Sequence, residues 1–71
     1  MLPANINLNT IRTMGIYCCQ DNTLNAPTKD WGVLIVFLPY NNTYNTAQLW
    51  LGTTTKSRWT AGRNDTWGPW L

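Results

Sequence analysis

The stretch "WGVLIVFLPY", residues 31–40, decides how the rest of the chain has to be read. Its β-branched and aromatic run is the strongest strand signal in the sequence. Successive side chains of a strand point to opposite faces. Val33, Ile35 and Phe37 therefore face one way, and Leu34, Val36 and Leu38 the other. A strand apolar on both sides is a strand covered on both sides. A chain of 71 residues with no good helix elsewhere can hardly supply two covering layers. The second layer is expected from another copy of the chain or from the rest of a longer protein.

Outward from this strand the chain reads as a meander. "GIYCCQ" at 15–20 is a β-branched and aromatic run behind a glycine, hence a strand. The polar loop "DNTLNAPTKD" at 21–30 follows, with Pro27 holding Ala26 extended. "NNTYNT" at 41–46 is a turn-forming loop, and "AQLWLG" at 47–52 is a strand that alternates. Leu49 and Leu51 share one face, expected in the core, while Gln48 and Trp50 share the other. "TTTK" at 53–56 reads as a turn, "SRWTAG" at 57–62 as the next strand and "RNDT" at 63–66 as another turn. "TWGPWL" at 66–71 contains Pro69, which restricts it to an edge strand or a docked tail. Residues 1–14, rich in Asn and Thr, read as an irregular arm with one helical turn near 8–12. The expected fold is mainly β: a small antiparallel meander of four to five strands with little helix, in a single domain over 1–71.

A domain of this size buries only about 60% of its unfolded surface, so small domains lean on disulfides, metals or partner chains. Cys18 and Cys19 are adjacent, about 3.8 Å apart at Cα. That is below the usual disulfide range, and in a strand they point apart, so no internal bridge is expected. Free thiols suggest synthesis in a reducing cytoplasm. With no His, no Glu and three scattered Asp, no zinc or calcium spacing is present and no cofactor is expected. A net charge of +2 without a basic run does not look like a nucleic-acid binder. The apolar run 33–38 is far too short to span a bilayer, and no secretory signal is expected. Catalysis has little to draw on. Asp21, Asp30 and Asp65 sit in turn-forming loops, and neither cysteine has a histidine to activate it. The chain reads as a non-enzyme.

Five tryptophans are the informative feature. Flat indole rings stack on sugars while neighbouring amides and guanidinium groups meet the hydroxyls, and Trp50 with Gln48 and Trp59 with Arg58 fit that palette. These four are the candidate glycan-binding residues. Large rings are also what any small fold packs with. For Trp31, Trp67 and Trp70 the structural reading is preferred, while Trp50 and Trp59 leave both readings open.

"LNTIRTMGIY", "LNAPTKDWGVLIVF", "QLWL" and the closing "TWGPWL" occur in an order that resembles the pyocin-knob type of domain in tail fibres of phages and phage-derived particles. The matching positions are Leu8, Asn9, Thr10, Gly15, Tyr17, Asn25, Ala26, Pro27, Leu34, Val36, Gln48, Trp67 and Trp70, spanning residues 8–71. Asn7 stands where the family usually has Asp, and Arg58 and Arg63 flank the place of a family Arg. The resemblance implies a homotrimeric fibre, assembly in the bacterial cytoplasm and a place in the virion; it does not imply which surface is contacted, and a bacterial surface polysaccharide is expected as partner from the tryptophans and their polar neighbours. The expected core includes Tyr17, Leu34, Val36, Trp67 and Trp70. Such knobs serve as spacers within a fibre as well as tips, so a ligand-free trimerisation domain and a free-standing carbohydrate-binding module remain the alternatives.

Overall fold

Four runs of β-forming residues pair in the order in which the chain presents them. The computed structural model describes residues 1–38, 46–60 and 66–71. Strands β1 (Gly15–Cys19), β2 (Gly32–Phe37), β3 (Ala47–Leu51) and β4 (Thr55–Trp59) form one open antiparallel sheet in the order β1-β2-β3-β4. A 3₁₀ turn at Leu8–Thr10 is the one helical element among the described residues. The protein is therefore mainly β. Strand β4 starts at Thr55, two residues earlier than the sequence suggested. Thr55 and Lys56 pair with Leu51 and Trp50, which shortens the expected turn to residues 52–54. Residues 41–45 and 63–65 of the two other expected turns lie outside the described residues.

The register sorts the sheet into two faces. On the inner face Tyr17, Leu34, Trp50 and Lys56 form one row across the strands, and Gly15, Val36, Gln48 and Arg58 the next. On the outer face the rows are Ile16, Ile35, Leu49, Ser57, then Cys18, Val33, Leu51, Thr55, and finally Phe37, Ala47, Trp59. The inner face is covered by the chain itself. Leu8 from the arm closes on Cys19, Leu34, Val36 and Trp50, with Leu2, Ile6, Ile11, Tyr17, Ala26 and Trp70 packed around them.

Backbone pairing holds this irregular layer in place. Leu2 N–H donates to Cys18 O at 2.9 Å, Leu24 N–H to Ile6 O at 2.8 Å and Leu8 N–H to Leu24 O at 3.1 Å. The Asn7 side-chain oxygen accepts from Asn9 N–H at 2.9 Å, capping the 3₁₀ turn, and from Asn25 Nδ2 at 2.6 Å. An Asp at position 7 would supply the same acceptor. Asn25 itself sits at φ 62°, a left-handed conformation that asparagine tolerates better than most side chains.

The assignment of faces reverses the sequence expectation. Trp50 is fully buried and Gln48 nearly so, whereas Leu49 is half-buried and Leu51 is 40% exposed. The reason lies in the covering layer. The arm brings the carbonyls of Leu8 and Ile11 over the sheet, and a buried carbonyl needs a donor. Gln48 Nε2 supplies it, donating to Leu8 O at 2.7 Å and Ile11 O at 3.0 Å. A leucine there would leave Ile11 O without this donor and Leu8 O with the Ile11 N–H alone, at 3.2 Å. Gly32 completes the arrangement, because any side chain at that position would overlap the Trp50 ring.

Candidate functional site

The C-terminal segment behaves as a docked tail along the free edge of β4. Gly68 N–H donates to Trp59 O at 2.9 Å, and Leu71 and Ser57 exchange both backbone hydrogen bonds, at 2.8 and 3.0 Å. Trp67 lies opposite Thr60, and Leu71 opposite Ser57. The tail thus takes four steps where β4 takes three. This extra residue breaks the two-residue period of side chains. In a regular strand, residues 67 and 70 would face opposite ways. Here both indoles reach the same side chain, Arg58.

Arg58 comes from the inner face of β4 and is only 4% exposed. Its Cζ lies 4.2 Å from the Trp67 ring centroid and 4.5 Å from that of Trp70. A guanidinium stacked on aromatic rings keeps its donors in its own plane, at the edge. One edge donor, Nε, bonds Gln48 Oε1 at 2.9 Å. Gln48 is then fully committed: its oxygen to Arg58, its amino group to the two arm carbonyls. This pattern fixes the orientation of the amide, since only the oxygen can accept from a guanidinium. The Nη2 group of Arg58 is shielded from water and has no hydrogen-bond partner among the described residues. Burial lowers the Arg58 pKa to about 10, so it still carries its charge at neutral pH.

The two tail indoles tie this assembly back to the covering layer. Trp67 Nε1 donates to Asn9 O at 3.1 Å, and Trp70 Nε1 to Asn25 O at 2.9 Å. Between the arm, the 25 loop and the tail opens a cavity of about 530 Å³ lined by Asn9, Arg12, Asn25, Arg58, Thr66, Trp67 and Gly68. Arg12 Cζ lies 5.7 Å from the Trp67 centroid, so two guanidinium groups stand near one ring. The described lining carries two cations and no acidic side chain.

Of the four candidate glycan contacts, the structure joins two and separates the rest. Gln48 and Arg58 are hydrogen-bonded neighbours on the inner face. Trp50 is on that same face but fully buried, which removes it and Gln48 as surface contacts. Both lie beneath the arm, which the sequence marks as irregular with one helical turn but gives no covering role. Trp59 is 49% exposed on the outer face, away from Arg58. Among the residues expected in the core, Leu34 and Val36 are buried. Tyr17 is half-buried, with its hydroxyl donating to Thr13 O at 2.7 Å. Trp70 is half-buried against the core, and Trp67 is half-buried with one side lining the cavity. Arg12, Asn9, Asn25 and Thr66 escaped the sequence reading as site residues. Their convergence depends on the paired arm and loop, which leave no period in the sequence.

Two further properties bear on chemistry. Among the described residues no group of three or more His, Cys, Asp or Glu side chains gathers as a metal site. Cys18 is exposed on the outer face, while Cys19 is buried. Burial pushes the Cys19 thiol pKa up, the adjacent Cys18 adds to this, and a backbone hydrogen bond from Leu34 acts the other way. No protein-family model, no curated protein and no solved structure matches the chain.

Proposed function

We propose that the chain is a non-enzymatic knob domain of a phage tail fibre or related adhesin, which associates as a homotrimer and contributes to attachment at a bacterial surface. One observation carries the reading: the outer face of the sheet is apolar, and among the described residues it carries no charged side chain and no covering segment. Ile16 is 74% exposed, Phe37 47% and Leu51 40%, beside Trp59 and the half-buried Val33, Ile35 and Leu49. Contiguous exposed apolar surface of this kind marks an interaction site. Both sheet edges are occupied, β4 by the tail and β1 in part by Leu2, so association through the face is favoured over strand addition. The occupant is another copy of the chain, because a face without charge offers nothing to select a charged partner. A cyclic trimer about an axis beside this face would cover it, as a fibre requires.

The rest of the reading agrees with the chemistry. Two free, adjacent thiols suit assembly in the bacterial cytoplasm before incorporation into a virion fibre. Attachment to a surface polysaccharide would fall to the polar cavity beside Trp67 rather than to Trp50. Sedimentation equilibrium of the chain at micromolar concentration tests the association: the mass of three chains is expected, and a monomer across the whole range contradicts the reading.

A further inference from the structure

We infer that the cavity between the arm, the 25 loop and the tail is a binding site for an oxyanion carried by an acidic glycan, with Arg58 as its central cation. This deepens the attachment reading by naming the site and the ligand class. Three independent features point to it. Arg58 and Arg12 both line the cavity, and among its described lining residues none is acidic. Arg58 keeps an Nη2 group without a hydrogen-bond partner among the described residues, although the side chain is 96% removed from water. A buried donor of this kind is costly unless it meets an acceptor. Asn9 and Asn25 in the lining carry side-chain amides of the type that meet sugar hydroxyls.

The same geometry defines what the site selects. The Trp67 ring lies against Arg58 and near Arg12, so its π-surface is occupied by cations. The cavity therefore reads charge and hydroxyls more than the apolar face of a sugar. Stacking on two indoles holds the Arg58 guanidinium flat, and the Nε bond to Gln48 fixes its rotation. A guanidinium prepared in this way loses little freedom when it accepts an anion, and its hydrogen bonds to charged oxygens are the strong kind. Carboxylate and phosphate share this chemistry, and either could be presented by a bacterial polysaccharide.

The test uses the full chain, ¹⁵N-labelled, with the Arg58 Nε–H and the Trp67 and Trp70 indole N–H signals as reporters. It is titrated separately with a glucuronate oligosaccharide, with glucose 6-phosphate and with a neutral glucose oligosaccharide. The expected result is a saturable shift of these signals with at least one charged probe, none with the neutral one, and weakening as salt is raised. The probe that saturates identifies carboxylate or phosphate as the source. Arg58→Gln should weaken the response by about tenfold or more. Because that variant also disturbs Gln48, Arg12→Gln serves as a second one, and it should weaken binding with the tail signals intact. Asp65 directly precedes Thr66 in sequence, so Asp65→Asn is titrated in parallel as a chain with one carboxylate fewer. The site is overturned if neither the wild-type chain nor Asp65→Asn responds saturably to either anion, or if the neutral sugar shifts the same signals equally. Failure here leaves the association of chains to be judged by mass alone, so the two readings fail separately.

Discussion

The two faces of this sheet invert the usual division of labour. The inner face buries an amide and a guanidinium, while the outer face leaves isoleucine, phenylalanine and tryptophan in contact with solvent. Apolar residues mostly lie inside, but the rule runs one way, and a buried polar group or a broad exposed apolar surface is the informative exception. Here both exceptions occur on opposite sides of the same four strands. The inner face is polar because its cover is an irregular arm whose backbone carbonyls need donors. The outer face is exposed because none of the described residues covers it, although its side chains are largely apolar. The lesson is that the covering layer, more than the hydropathy of a strand, selects which side of it turns inward.

The largest expected effect breaks the inner face. Trp50→Ala removes a fully buried ring and should cost about 3–5 kcal/mol, enough to unfold a domain this small, as thermal denaturation would show. A mild effect would mean that the ring is not the centre of the core. Gln48→Leu is next. It is larger in apolar surface yet strands Ile11 O and Arg58 Nε and takes one of two donors from Leu8 O, and should cost about 2–4 kcal/mol in urea unfolding. If this variant were more stable than wild type, the polar bracket would have no structural role. Gly32→Ala drives a methyl into the Trp50 ring and should cost about 1–3 kcal/mol. Gly68→Ala, whose nearest neighbour is the Trp59 carbonyl at 3.3 Å, should cost less.

The cysteines sharpen the same contrast through their thiols. Cys18 belongs to the outer face and Cys19 to the inner. In the native chain Cys19 should resist alkylation, and Cys18 should react at a rate that falls as chain concentration rises and copies cover it. Cys19 also ties stability to pH. Its folded pKa lies above the ordinary value of 9.0, so the folded chain holds this proton more tightly than the unfolded one. Stability is then intact below pH about 9 and falls as pH rises through the folded value. Cys19→Ala should flatten that fall in urea denaturation measured between pH 7 and 10.

The strands were legible in the sequence because local chemistry dictates them. The run at 33–38 has no other secondary structure that suits it, and the alternation at 47–51 is plain. Pro69 marked the tail as an edge element, and Pro69 indeed lies between the two tail residues whose N–H groups bond β4. Which face turns inward was not legible, since Leu49 and Leu51 outrank Gln48 on any hydropathy count. The partners that decide the matter are backbone carbonyls 40 and 37 residues away, and carbonyls leave no mark on a sequence. The site was half legible for a similar reason. Arg58 was noticed as a polar neighbour of Trp59, but its true companions are Trp67 and Trp70, brought together by one extra residue in the tail.

Leu51 offers the most direct test, because hydropathy places it in the core and the structure places it on the outer face. Sedimentation velocity of Leu51→Lys reports mass and compactness together. On the proposed association, a charge on the surface where copies meet should give a compact monomer in place of the trimer expected of the wild-type chain. An expanded chain would mean that Leu51 is a core residue after all, and a trimer of undiminished mass would mean that the copies do not meet on this face.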